Sequence, residues 1–269
     1  MVSLARSHLV GLVVVGMIIF AGLLLVESRG TIPRELETTP SPLPMSASPN
    51  DNRPAIGGGE RMVPTAPLYR GLPVSQLDGN PKAIAQVPDR YQEAKAELAR
   101  IAVALAENSR QPPLWMRVAY LKHFFGDEPG AADAYEYLNA IAPGDPIPFY
   151  NLAAIYGYYL KRPEKAIPKY RAAIELDPAT AEYYYGFGNF WREVMQEPAA
   201  AEATFLQGLS RVPDFPPLLT ALGSLYAEMG EIAKAIASYE RAFSHPSLGS
   251  GERAAIEAEV ERLKQRLSP

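Results

Sequence analysis

The sequence predicts an all-α fold: a solenoid of helical hairpins behind one N-terminal transmembrane helix and a disordered linker. Three observations carry this expectation. Pro143, Pro178 and Pro213 lie 35 residues apart, and each closes an apolar, alanine-rich stretch with the three-to-four-residue spacing of an amphipathic helix. Upstream of each proline the same ordered set of large and small residues recurs, the mark of a stacked repeat. At the other end, the eighteen residues Leu9–Val26 carry no charge.

A tip of residues 1–8 precedes that apolar run. At 1.5 Å per residue the run reaches roughly 27 Å, close to the hydrocarbon thickness of a bilayer. A secretory signal is the rival reading. Its apolar core is shorter and ends at small residues, whereas this run exits through Leu24-Leu25-Val26-Glu27-Ser28, so a retained anchor over 9–26 is expected. The basic residues flanking it, Arg6 before and Arg29 and Arg34 after, barely bias its orientation. A short basic tip before a single apolar helix matches an uncut export signal, which places the rest of the chain outside the cytoplasm of a bacterial inner membrane.

Residues 27–87 hold ten prolines and the triplet Gly57-Gly58-Gly59 without sustained periodicity, the composition of a disordered linker. The stretch Arg61–Leu77 mixes apolar residues with proline at intervals. It reads either as ordinary linker or as an extended peptide that docks on a neighbour or on the chain's own helices.

The remainder is helical: a leading helix over 88–111, four repeats at 112–145, 146–180, 181–215 and 216–249, and a capping helix over 250–269. The clearest copy carries Leu219, Leu222, Gly223, Tyr226, Ala235, Tyr239, Ala242 and Pro246. The third has Tyr184, Phe187, Gly188, Trp191, Ala201, Phe205, Gly208 and Pro213, and the second Phe149, Leu152, Ala153, Tyr156, Ala166, Tyr170, Ala173 and Pro178. Both hold one extra residue between their helices. The first copy is the most divergent, with Trp115, Val118, Ala119, Ala131, Tyr135, Leu138 and Pro143, and Lys122 where an aromatic is expected. This pattern resembles the tetratricopeptide repeat over about half the chain. Its small residues let antiparallel helices approach, its aromatics fill the wedge between pairs, and its proline stops the second helix. Pro168 inside the second repeat is expected to bend or loosen a helix start. In the capping helix, Ala254, Ile256, Val260, Leu263 and Leu267 are the expected buried stripe.

The resemblance implies a superhelix whose first helices line a concave groove for an extended peptide or helix of a partner protein. The expected groove residues are Met116, Arg117, Tyr120, Tyr150, Asn151, Tyr158, Tyr185, Asn189, Arg192, Thr220 and Ser224. Tyrosine suits such a surface because it offers wide apolar contact and a hydroxyl at little entropic cost. Within Tyr183-Tyr184-Tyr185 groove and core roles are equally open, since adjacent helical residues face different ways. Some members of the family grip an acidic C-terminus with a lysine-rich clamp. Tyr150 and Tyr185 stand where its lysine is expected, so that ligand is not expected here.

Other functions find little material. There is no cysteine and only His8, His123 and His245, so no metal and no cofactor are expected, and the histidines read as unlinked. A net charge of −4 argues against nucleic acid. Gly186-Phe187-Gly188 follows no strand and precedes no lysine, so it is not a phosphate loop. Acidic side chains sit at helical spacing from basic ones, as Glu93 and Glu97 do from Arg100, the pattern of solvated faces. The expectation is a non-enzymatic, membrane-anchored scaffold for assembly of an envelope complex, or alternatively a self-associating, homo-oligomeric structural subunit.

Overall fold

The computed structural model describes residues 67–267. The expected anchor over 9–26, the tip before it and the linker up to residue 66 lie outside the described residues. Among the described residues no helix is long and apolar enough to cross a membrane, and every regular element is helical. Two leading helices, α1 (Pro81–Gln86) and α2 (Pro88–Glu107), precede four hairpins. The hairpins are α3 (Pro112–Phe124) with α4 (Glu128–Ile141), α5 (Pro146–Ala154) with α6 (Pro163–Leu176), α7 (Ala181–Phe190) with α8 (Pro198–Arg211), and α9 (Pro216–Glu228) with α10 (Ile232–Phe243). A last helix, α11 (Ser250–Leu267), closes the array against α10. The expected helical solenoid is therefore what the described residues form.

Proline stands in the first turn of α1 to α6, α8 and α9. There it fixes φ at a helical value and gives up an amide that would lack a partner. Asn80, Asp127 and Asp145 add side-chain caps by accepting from the amides of Lys82, Gly130 and Ile147 at 2.9, 3.0 and 3.0 Å. Helix α6 runs unbroken through Pro168. That residue lies in the second turn, where its only forfeited backbone bond is to one carbonyl near the helix start.

Helix pairs close by seating rings on small residues. A Cβ at Gly188 would collide with the ring of Phe205, and one at Gly223 would lie 3.1 Å from the ring of Tyr239. Between successive repeats, Gly157 faces Phe190 and Gly186 faces the Tyr150 hydroxyl, while Gly208 meets both Tyr184 of its own hairpin and Leu218 of the next. In the first two repeats Ala119 and Ala153, both fully buried, take the place of Gly188. In α11 Ile256, Val260 and Leu263 are buried. Ala254 is exposed, a correction to the expected stripe: it lies two residues before Ile256, about 200° away around the helix.

The extra residue of the second and third repeats has a definite location. Each first helix ends in a left-handed residue: Gly126 (φ 79°), Lys161 (φ 54°), Gln196 (φ 55°) and Gly230 (φ 80°). In the first and fourth repeats the next amide bonds five residues back, Asp127 to the Lys122 carbonyl and Glu231 to the Tyr226 carbonyl, both at 2.8 Å. In the second and third it bonds six residues back, Arg162 to Tyr156 at 2.7 Å and Glu197 to Trp191 at 2.9 Å. The added residue is taken up in a widened π-helical turn, Ile155–Tyr159 and Trp191–Met195. The cap geometry survives, and only the turn before it expands.

Residues 67–80, expected to be linker, form a strap on the first repeat. Tyr69 lies 4.6 Å from the ring of Trp115 and 5.5 Å from that of Tyr137. The Leu72 amide donates to Asp133 at 2.8 Å, the Asn80 amide to the Phe125 carbonyl at 2.6 Å, and the Tyr91 hydroxyl to the Leu77 carbonyl at 2.9 Å. Lys122, fully buried, donates to Asp127 at 3.0 Å and to the Gln76 carbonyl. The divergent lysine of the first repeat is thus the tie for the strap. Composition misses the strap because backbone groups, which leave no periodic pattern, hold it. Of the two readings of Arg61–Leu77, the described part follows the one in which it docks on the chain's own helices. The leading helix stops at Glu107, before the expected residue 111, where the Gln111 side-chain amide donates to the Ala104 and Asn108 carbonyls.

Two outcomes follow for stability. Lys161→Gly and Gln196→Gly should each stabilise the chain by about 0.5–1 kcal/mol in urea denaturation, because a side chain in the left-handed region is strained. Lys122→Met should destabilise it by about 3 kcal/mol, since Asp127 is left buried without its cation, and should speed proteolysis within 67–80. Adding Asp127→Asn should recover part of that loss.

Candidate functional site: the concave face

Helices α5 and α7, and α7 and α9, touch one another directly, while successive second helices make no contact of comparable extent. The first helices therefore lie on the inner side of the curve, and their free stripes form its concave face.

The eleven expected groove residues divide on this face. Met116, Arg117, Tyr120, Tyr158, Arg192, Thr220 and Ser224 are half-buried. Tyr150, Asn151, Tyr185 and Asn189 are buried, with Tyr150 only 1% exposed. For Tyr150 this is a correction: its ring is enclosed by Tyr170 at 5.8 Å and Tyr183 at 5.2 Å, and its hydroxyl reaches the α7 backbone at Gly186. It belongs to the interface between repeats. Tyr183, Tyr184 and Tyr185 are likewise buried, which resolves their open assignment towards the core. Asn151 donates to the Tyr135 hydroxyl at 3.2 Å, another inward contact.

The two expected cations are already engaged. Arg117 forms a bidentate pair with Glu97 of α2, at 2.7 and 2.9 Å, and stacks over Tyr120. Arg192 pairs with Glu193 at 3.0 Å. The hydroxyls of Thr220 and Ser224 are also spoken for, by the Pro216 carbonyl at 3.0 Å and the Tyr239 hydroxyl at 2.8 Å. His123, expected to be unlinked, meets Glu128 at 2.7 Å and the edge of Tyr159 at 5.0 Å. His245 contacts Ser247 at 2.8 Å.

Around Arg192 a group of hydroxyls and carboxylates gathers from three repeats. Burial raises the Tyr158 and Tyr170 hydroxyls well above the usual phenol range, and Glu193 and neighbouring tyrosines add to the rise. Burial also raises Tyr185, against a hydrogen bond from Asn189. Glu228, exposed at the end of α9, is raised by partial desolvation while Arg192 pulls the other way. The Tyr150 and Tyr170 hydroxyls and the Oδ1 atoms of Asn151 and Asn189 are buried without a hydrogen-bond partner, an unusual state for interior polar atoms. Sequence reasoning passed over Glu193 and Glu228. Each stands four residues after an expected groove residue, Asn189 and Ser224, and that helical spacing was the available signal.

The tetratricopeptide repeat family model matches residues 148–180 and 216–244, covering most of the second and fourth hairpins. Those two segments are similar to the tetratricopeptide repeat. Solved structures share the repeat architecture. One is PilW, a widely conserved type IV pilus biogenesis factor, 17% identical over 69% of this chain and 87% of that one, with a TM-score of 0.52. Another is the APC/C hetero-tetramer Cut9–Hcn1, 15% identical over 65% of this chain and 34% of that one, at 0.50. TTC0263, a thermophilic repeat protein of Thermus thermophilus, is 21% identical over 67% of this chain and 98% of that one, at 0.47. For PilW and Cut9–Hcn1, at these identities, the likeness is one of fold. No curated protein matches the sequence.

Within the repeats, Tyr150→Phe and Tyr170→Phe remove unpaired hydroxyls and should leave the urea midpoint unchanged or raise stability by up to about 1 kcal/mol. Tyr226 differs because it donates to Glu202 at 2.7 Å. Burial, then that bond, push its hydroxyl up to about 12. In the unfolded chain it ionises near 10. Its contribution is therefore whole below about pH 10 and is lost as pH rises towards about 12. Tyr226→Phe should cost about 1 kcal/mol at neutral pH and flatten the alkaline loss, as read by urea melts at increasing pH.

Proposed function

We propose that the protein is a membrane-anchored interaction scaffold whose concave face holds an extended or helical segment of a partner protein during assembly of an envelope complex. One observation supports this most directly. The concave stripe of the second to fourth repeats leaves Tyr158, Arg192, Thr220 and Ser224 half-buried, an aromatic ring and polar groups open to a segment lying there. The repeat architecture supports a binding role in general, though fold alone names no partner. Membrane attachment rests on the apolar run Leu9–Val26, and placement of the repeats outside the cytoplasm rests on the form of that N-terminus. The reading assigns binding rather than catalysis, and protein rather than nucleic acid. A self-associating subunit is the second reading, in which Arg61–Leu77 reaches another copy. The docking of residues 67–80 on their own first repeat favours the scaffold.

A photo-crosslinking residue at Ser224 should give a discrete adduct with a different protein in intact membranes, and one at Leu206, exposed on α8, should give none. Adducts only at multiples of the chain's own mass would support self-association instead. Alkaline phosphatase fused to the C-terminus should be active in cells; an inactive fusion would reverse the orientation.

A further inference from the structure

The concave face changes character along the array. On α3, Met116 and Tyr120 are half-buried and Phe124 is 44% exposed. They stand four residues apart, so they form one stripe, and the Tyr120 and Phe124 rings lie 6.1 Å from each other. The second repeat widens the stripe with Tyr159, 36% exposed, whose ring meets His123 of α3 edge-on at 5.0 Å. On α9 the corresponding positions are Thr220, Ser224 and Glu228, all polar. The open aromatic surface therefore belongs to the first two repeats. The charges beside it are matched within the array: Arg117 is bidentate to Glu97 and stacks on Tyr120, and His123 meets Glu128.

Where the described chain begins indicates what covers this surface. Tyr69 lies 4.6 Å from the ring of Trp115, near the start of the helix that carries the stripe. Upstream, Thr38–Asn50 is uncharged and includes the run Pro40-Ser41-Pro42-Leu43-Pro44-Met45. Proline runs favour the polyproline helix and dock on aromatic-lined grooves at small entropic cost. In that helix Pro40 and Leu43 share a face about 9 Å apart, against about 12 Å from Met116 to Phe124. Residues 46–66 span about 25 Å as a coil and about 70 Å when extended, whereas α3 is about 20 Å long. The run can reach the stripe while the strap stays in place.

We propose that Pro40–Met45 docks on the Met116, Tyr120 and Phe124 stripe and on Tyr159 of its own chain, so that the linker is a built-in occupant of the amino-terminal end of the concave face. Tethering holds the run at an effective concentration on the order of millimolar, so a weak contact suffices to fill the stripe. A partner segment must then displace it to engage the first two repeats. The contact goes beyond the scaffold reading and stands without it, because the chain makes it with no partner present.

The chain has no cysteine, so Ser46→Cys in the full-length protein carries a single benzophenone beside the run. Irradiated in nanodiscs, it should give an adduct within one chain, mapped by peptide sequencing to Met116–Phe124 or Tyr158–Tyr159. Pro42→Ser with Leu43→Ser should lower the yield about tenfold, and so should Tyr120→Ser with Phe124→Ser, the effect of losing two apolar contacts. The linker pair lies outside the repeats, so its effect is separable from any loss of fold in the stripe pair. An adduct spread over the array, one that either pair leaves unchanged, or no adduct would overturn the proposal. An adduct between two copies would overturn it in favour of self-association. The crosslink at Ser224 decides the scaffold reading separately.

Discussion

Close approach of helix axes over residues without bulk is the constraint on which the array depends. At Gly188 and Gly223 the rings of Phe205 and Tyr239 lie directly on the helix backbone, and in the first two hairpins buried alanines at 119 and 153 serve the same end. A ring seated on a backbone excludes water over a wide area and cannot slide along the helix without meeting a side chain. It therefore fixes register as well as contributing apolar burial. The same arrangement recurs between repeats, at Gly157 under Phe190 and Gly186 under Tyr150. Curvature follows from these seatings, because they set how near each first helix lies to the next.

That constraint also explains the centre of the concave face. Gly186 leaves room for Tyr150 to lie between α5 and α7, so a tyrosine that would otherwise face the groove is drawn into the interface. The widened turns at Ile155–Tyr159 and Trp191–Met195 absorb one extra residue without disturbing the left-handed caps. They occur in the two middle repeats, and they carry Tyr158, Arg192 and Glu193. The repeats that depart from regular helix are thus the ones that gather the polar cluster. Such a departure is tolerated where the ends of the helix are fixed by capping bonds.

The amino-terminal end solves a different problem. The first repeat has no preceding repeat to cover it, and α2 covers only part of the exposed face. The strap supplies the rest, with Tyr69 against Trp115 and Tyr137, and with Lys122 joining Asp127 to the strap backbone. Ionic groups this deeply buried are tolerated when each has its partners, and here the lysine takes two. At the opposite end α11 covers the last hairpin with three buried aliphatics and a charged outer surface, as the ends of a repeat array require.

The sequence by itself determined the helical hairpins, their number and their order. Those features rest on local rules: proline at helix starts, small residues at crossings, and an aromatic at a fixed distance from each. It also exposed the two irregularities, the extra residue and the misplaced Lys122, without saying what either was for. Only the tertiary structure decided which stripe residues are surface. Tyr150 and Tyr185 occupy equivalent positions and both are buried, whereas Met116 and Thr220 at the same position are half-open. The difference lies in what the next repeat places against them, and that depends on packing between residues remote in sequence. For the same reason the strap was invisible: a backbone carbonyl that receives a lysine is defined by neighbours that no local pattern records.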